Sequence, residues 1–412
     1  MIKNEQKRME NILLVTTSNF PFGGPSANVL RLLTIGLAKT HRNVEVLLQR
    51  GICFGKVAED NKRKGSIEGV SYAHCGYLIS SGNYLKKILD IASGIIVPLI
   101  VVIRKKIESR VDCVLLYNST AYECLALFAA CKILRIPIIN HVVEWYEKET
   151  VVASWWKLPK WWDFLFRMKI LNLHFDGLMV TSHFLKNYYT EKNFSGRKIL
   201  ILPNLVDISN FNSDEVKNLK NNNILRIGYC GTPTRKDGID DLLKAFQSVQ
   251  MKHPNSELLV IGDTTVGGSL IPKLVEKAER LGILKKVKFT GLVKWEQIPG
   301  LLNSCDMLAL ARPSGRFAEA GFPTKLGEYM ACGKPVVLTK VGDMPFYLED
   351  KENAMLAEPD NPESVASKIC YLIENPDQAK KIGENGLSWV EQNLEFVKTT
   401  WKVGNFMDIF RK

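Results

Sequence analysis

No Cys-x-x-Cys pair occurs in this 412-residue chain. Its 9 cysteines are scattered singly and odd in number, which argues against a disulfide framework and for a reducing cytoplasm. No two of the 29 glycines are spaced Gly-x-Gly, and none precedes Lys-Ser or Lys-Thr. The dinucleotide fingerprint, kinase-type loops and the P-loop are thereby set aside, and with them redox and P-loop chemistry. The 6 histidines lie far apart with no His-Glu-x-x-His spacing, so no zinc site built by the protein is expected. Asp-x-Asp, a common pair of hard oxygen ligands for a divalent ion on a diphosphate, is missing as well. Neither a metal nor a cofactor is expected.

Long apolar runs are also lacking. The stretch 88–103 has about 16 residues with Asp90, Gly94 and Pro98 inside it, short of the ~20 that span a bilayer, so a buried helix is expected there. The first ten residues are charged and lead straight into a strand pattern, which gives no secretory signal. A cytoplasmic location follows as the expectation.

What is present is ordinary globular composition, 46% hydrophobic and 24% charged, in a length that suits two α/β domains of about 200 residues. The 55 basic against 43 acidic residues give a net charge of +12, which suits phosphorylated substrates, anionic lipid or nucleic acid. Zinc-finger spacing, a basic region with heptads and long Lys/Arg tracts are all missing, so no nucleic-acid partner is expected.

Short β-rich runs at 11–17, 44–49, 113–117, 136–142, 178–181 and 199–202 alternate mostly with helical stretches. A polar stretch rich in Asn, Asp and Lys at 209–223 reads as a linker, after which strands recur at 225–230, 258–261, 287–290, 307–311 and 336–338. Such alternation predicts two Rossmann-like, parallel-sheet domains, at 1–205 and 206–394, facing one cleft. The final segment, about 395–412, is expected to pack back on the first.

The segment 309–338 carries the most chemistry. An apolar strand runs into a loop of Gly and Pro, then a helix begins near Phe322 and ends near Cys332, with Pro323 in its first turn and Gly333 and Pro335 stopping it. The first amides of that helix, with the positive end of its dipole, leave the carboxyl end of a strand, where open α/β sheets bind phosphate. Glu328 lies just beyond the first turn, where a carboxylate can accept both hydroxyls of a ribose. The same residues, taken alone, also read as an ordinary helix behind a loop. A second loop, 231–238, places Arg235 and Lys236 after another strand, where they can neutralise a diphosphate or simply face solvent. At 154–167, Trp155, Trp156, Trp161 and Trp162 interleave with Lys, which suits a lipid headgroup layer or an aromatic face packed on its own domain.

Together, Pro203 to Asp207, Gly231 through Lys236-Asp237-Gly238, 259–263, Phe289-Thr290-Gly291, and Gly321-Phe322-Pro323-Thr324-Lys325 through Glu328 to Pro335 resemble glycosyltransferase family four. The likeness is strong from about residue 200 onward. It implies an α/β GT-B fold, a nucleotide-diphosphate sugar donor held mainly by the second domain, and metal-free transfer with retention of configuration. The acceptor it implies is a glycan or a lipid-linked group, in surface polysaccharide synthesis, with possible contact at the inner face of the membrane. Carried over, Glu328 holds the ribose. Lys236, Arg235, Gly231 and the turn of Phe322, Pro323, Thr324 and Lys325 hold the diphosphate. Gly291, Leu292 and Val293 hold the base. In the first domain, Gly23 and Gly24 give backbone access to phosphates or acceptor, and His141 stands where the family has a His near the transferred sugar. Glu144, Trp145 and Tyr146 are placed at the acceptor.

Two positions depart from the family. Its paired-glutamate motif puts the first Glu eight places before the second, which here is Ala320; Glu319 is one place further away. The Arg that commonly follows the first loop glycine is Thr232 here, which leaves the charge to Lys236 and Arg235. Catalytic roles are thus expected of His141, Lys236 and Glu319. A nucleotide-sugar 2-epimerase of the same fold, and a non-catalytic nucleotide-binding partner protein, remain as alternatives.

Overall fold

Runs of Val, Ile and Leu with no polar alternation suit strands buried on both faces, and these are parallel strands covered by helices. The computed structural model describes residues 8–52, 62–79, 83–148, 158–211, 224–264 and 268–411. Trp155, Trp156 and most of the 209–223 stretch lie outside the described residues. The chain divides into one unit of residues 1–205 with 396–412, and a second of 206–395.

The first unit runs β1 (Asn11–Thr16), α1 (Pro25–Lys39), β2 (Asn43–Leu48), β3 (Lys64–Ile67), β4 (Val70–His74), α2 (Tyr84–Ile107), β5 (Cys113–Tyr117), α3 (Ala121–Ile133), β6 (Ile138–Val142), α4 (Leu158–Lys169), β7 (Gly177–Val180), α5 (His183–Thr190) and β8 (Ile199–Ile201). Its sheet has the order β3-β4-β2-β1-β5-β6-β7-β8 and is parallel except for the β3–β4 hairpin. That hairpin turns through Glu68 and Gly69, both at positive φ, as a tight hairpin turn requires.

The expectation of a buried helix at 88–103 is corrected by α2. The helix forms, but the stripe it buries is Asp90, Gly94, Pro98 and Val102, and its isoleucines at 96, 100 and 103 are exposed. Close approach is the reason: a Cβ at Gly94 would stand 2.2 Å from the Gln49 carbonyl oxygen, so the helix lies with bare backbone on the end of β2. Asp90 fastens it there by accepting hydrogen bonds from the Gly51 and Tyr77 amides, at 3.0 and 3.2 Å.

In the second unit follow β9 (Leu225–Cys230), α6 (Ile239–Lys252), β10 (Ser256–Ile261), α7 (Ile271–Arg280), β11 (Val287–Phe289), α8 (Ile298–Asn303), β12 (Met307–Leu310), α9 (Arg316–Ala320), α10 (Thr324–Ala331), β13 (Val336–Thr339), α11 (Met344–Tyr347), β14 (Met355–Ala357), α12 (Pro362–Glu374) and α13 (Pro376–Asn393). All six strands are parallel, in the order β11-β10-β9-β12-β13-β14. The order reverses between β9 and β12, and such a switch point opens a crevice outside the carboxyl ends of the two strands.

The last helix, α14 (Phe396–Asp408), belongs to the first unit and packs along α1. Thr400 presses against Gly36, where any Cβ would lie 2.4 Å from its hydroxyl. Asp408 accepts two hydrogen bonds from Arg42, at 2.8 and 2.9 Å, and one from the Met9 amide at 2.7 Å, with the guanidinium 4% exposed. Removing the carboxylate leaves a buried cation unpaired. Asp408→Ala is therefore expected to destabilise the first unit by about 3 kcal/mol in denaturant titrations, and a loss well under about 1 kcal/mol would contradict this pairing.

Candidate functional site

The loops at the switch point of the second unit are held together by absent side chains. β9 ends at Cys230, and Gly231 follows at φ 146°, where a Cβ would lie 2.0 Å from Lys325 Cε. Gly238 at φ 68° starts α6, and a Cβ there would collide with the Ala311 carbonyl, 1.5 Å away. The loop after β9 therefore lies directly on the end of β12 and on the first turn of α10.

Polar contacts lock the same arrangement. The Tyr329 hydroxyl of α10, fully buried, receives the Cys230 amide at 2.6 Å and donates to the Cys230 carbonyl at 3.1 Å. Lys325 Nζ pairs with Asp237 Oδ2 at 2.8 Å, and the Tyr229 hydroxyl lies 2.9 Å from that carboxylate oxygen and 2.9 Å from the Thr232 carbonyl. The Lys325 charge is thus opposed within the loop, whereas its backbone amide opens α10. Pro323 stands one place before the helix, as its N-cap in extended geometry, rather than inside the first turn; Thr324 and Lys325 supply the first amides.

Lys236 and Phe317 form a contact that the spacing alone did not reveal. Lys236 Nζ sits 3.9 Å from the centre of the Phe317 ring, and the Arg312 guanidinium lies 5.0 Å from the same ring. Two cations on one aromatic ring concentrate positive charge between the β9 and β12 loops, each contact contributing about 0.5–2 kcal/mol. Arg312, 5% exposed, lies two places beyond the end of β12; only the turn that brings Phe317 back marks it. Arg235, beside Lys236, is exposed.

Glu328 projects from α10 half-buried, with no hydrogen bond to its carboxylate among the described residues. Burial pushes this carboxyl up to about 7, and the charge of Lys325 opposes the shift. On the far side of the switch point, Gly291 at φ 71° bridges to Gly262, whose amide donates to Thr290 Oγ1 at 3.1 Å. Leu292 is exposed and Val293 packs partly on the core. Gly262 also lies against Gly231, so Gly231, Gly291 and Lys236 in the loops, and Lys325 and Glu328 on α10, all stand at the carboxyl end of one sheet.

Other expected residues are placed differently. Phe322 turns its ring into the core, edge-on to Tyr347 at 5.8 Å, which leaves its backbone to the loop. Glu319 is exposed on the short helix α9, and Ala320, the position one register closer, is buried. Gly23, Gly24 and His141 lie in the first unit. Gly24 caps α1 with open space at its Cα, and Gly23, at φ 155°, packs on Asn19 and Ala27.

His141 stands one place before the end of β6, 2% exposed, edge-on to Tyr117 at 5.3 Å. Among the described residues neither ring nitrogen has a hydrogen-bond partner, and burial pushes the ring down to about 3, so it is neutral at any physiological pH. Beside it is a cavity of about 10 Å³, room for about one water, lined also by Asn118, Glu144, Tyr146 and Arg167.

The raised Glu328 carboxyl has a consequence for stability. Its ordinary value is 4.5, so between there and about 7 the unfolded chain ionises while the folded one stays protonated, and stability falls as pH rises through this window. Glu328→Gln removes that loss. Its stability relative to the parent should rise by about 1–3 kcal/mol between pH 5 and pH 8 in paired denaturation curves. An unchanged difference would place the carboxyl in ordinary solvent.

Comparison with known proteins adds family to geometry. Residues 210–389 match the glycosyl transferases group 1 family. An uncharacterized glycosyltransferase of Methanocaldococcus jannaschii is 27% identical over 215 residues, 51% of this chain and 53% of that protein. A D-inositol 3-phosphate glycosyltransferase of Corynebacterium jeikeium is 28% identical over 161 residues, 38% of this chain and 37% of that protein. The chain thus spans about half or less of these curated relatives. Anabaena HepE, solved in complex with UDP and glucose, shares the fold at a TM-score of 0.69 and 19% identity, across 96% of this chain and 98% of its own. Residues 210–389 thus match the group 1 glycosyl transferases, and the chain as a whole shares the GT-B fold of this solved structure.

Proposed function

We propose that the protein transfers a sugar from a nucleotide-diphosphate donor to a glycan or lipid-linked acceptor, with retention of configuration. The observation that carries this reading is the juxtaposition at one sheet edge of a charge-concentrating ring contact, a helix start and a carboxylate. The Lys236–Phe317–Arg312 group and the first amides of α10 would receive the diphosphate, and Glu328 would accept the ribose hydroxyls.

In this mechanism the bond from the anomeric carbon to the diphosphate oxygen breaks as the acceptor hydroxyl approaches on the same face. The departing phosphate oxygen takes the hydroxyl proton, and Lys236 with the α10 amides stabilises the charge. Basic groups and backbone dipoles do here what a divalent ion does elsewhere, so transfer without a metal is part of the proposal. His141, buried and neutral, would act by hydrogen bonding and not by giving up a proton. A lipid-linked acceptor in surface polysaccharide synthesis would bring the protein to the inner face of the membrane, a reading supported by its basic charge.

The exposed Glu319 favours a second reading, a protein that binds nucleotide without turnover. Melting shifts with UDP, GDP and ADP, followed by donor turnover and anomer assignment by NMR, separate the two. Glu328→Ala is expected to weaken donor use at least about tenfold, because it removes two charge-assisted bonds of about 1.5–3 kcal/mol each before relaxation. Nucleotide binding with no turnover on any donor would leave the binding protein standing. Donor isomerised in the absence of acceptor would identify a 2-epimerase instead.

A further inference from the structure

Helix α2 is amphipathic with its faces reversed. At about 100° per residue, Asp90, Gly94, Pro98 and Val102 share the arc that meets the sheet, and Leu85, Leu89, Ile96, Ile100, Ile103 and Ile107 share an arc of about 60° directly opposite. Those six side chains are exposed, Leu85 by 70% and Ile107 by 80%. Along this 24-residue helix the stripe from Leu85 to Ile107 is about 33 Å long. A surface this apolar and continuous, on a chain with ordinary composition, marks a place of contact.

The charges bordering the stripe choose among occupants. Lys86 and Arg104 flank it on one side and Lys106 on the other, all exposed; the acid within the helix, Asp90, is buried and bonded. Glu108, at the C-cap, is already paired with Arg104 at 2.7 Å. A second copy laid along the stripe, in either direction, would set basic end groups against basic groups. α3 packs against both α2 and α4, and α4 adds an exposed Trp162, 66% accessible, with exposed Lys160 and Lys169. Apolar side chains with a basic border match the acyl boundary and headgroups of an anionic bilayer.

We infer that α2 lies on an anionic phospholipid surface, its Ile-rich stripe among the acyl chains and its lysines and arginine at the headgroups. The helix docks rather than spans: among the described residues no helix is long and apolar enough to cross a membrane, and the opposite face of α2 is committed to its own sheet. This inference rests on the membrane-side acceptor proposed above and gives it a physical surface.

Flotation with phosphatidylcholine vesicles, with and without phosphatidylglycerol, tests it on the full chain. The parent should float with the anionic vesicles and detach as salt rises. Ile96→Ser/Ile100→Ser/Ile103→Ser should lose at least about tenfold in partitioning, with circular dichroism and melting temperature little changed because these side chains are 41–57% exposed. Lys86→Glu/Lys106→Glu should lose binding to the anionic vesicles alone. Partitioning of the triple variant equal to the parent overturns the inference, as does a parent that forms a dimer dissolved by the same three changes and never floats. Donor consumption in solution is read in parallel. If it is absent while flotation behaves as expected, docking stands and the transferase reading falls.

Discussion

One clasp carries the second unit: Tyr329 of α10, bonded to both backbone groups of Cys230 at the end of β9. With Lys325 laid over the bare Cα of Gly231 and paired to Asp237, it joins the loop after β9 to α10, Cys230 and Tyr329 being 99 residues apart in sequence. Everything attributed to the site depends on this joint. It sets the start of α10 beside the basic loop, and it holds Glu328, one residue before Tyr329, at the same edge. The groups involved are buried and mutually satisfied, which makes the edge rigid before any ligand arrives.

Burial gives the site its electrostatic character as well. A carboxyl pushed up to about 7 in the free protein is costly to ionise, and a donor whose ribose hydroxyls point at it would offset that cost. The cations on Phe317 would meet the diphosphate of the proposed donor, whose charge bulk water would no longer screen there. In the first unit the arrangement differs: His141 is neutral and enclosed, and the groups around it are aromatic or amide as often as charged.

How much of this was legible in the chain follows from the kind of signal each part leaves. The strand, loop and helix succession from 307 to 339 was readable because Gly and Pro punctuate it, and the buried parallel strands were readable as unbroken apolar runs. The β3–β4 hairpin was missed because β3, Lys-Gly-Ser-Ile, carries almost no apolar signal, and β14 because three residues are too few for a period. Arg312 was missed since its partner ring, Phe317, comes from the next element, α9, and not from the strand before it. The reversal of α2 was misread for a related reason. The apolar run showed that a helix forms but neither its full extent, Tyr84–Ile107, nor its orientation; Gly94 and Asp90, small and polar, were the marks of the buried side.

The most direct test of the central claim is the pH dependence of nucleotide-sugar binding by calorimetry, with the parent and Glu328→Gln side by side and donors carrying uracil, guanine or adenine. The diphosphate diester of such a donor does not titrate near neutrality, so a proton-linked affinity reports on the protein. The parent is predicted to weaken by up to about tenfold per pH unit below about 7, and Glu328→Gln to bind weakly and without that slope. The same pH profile in both proteins would contradict the account.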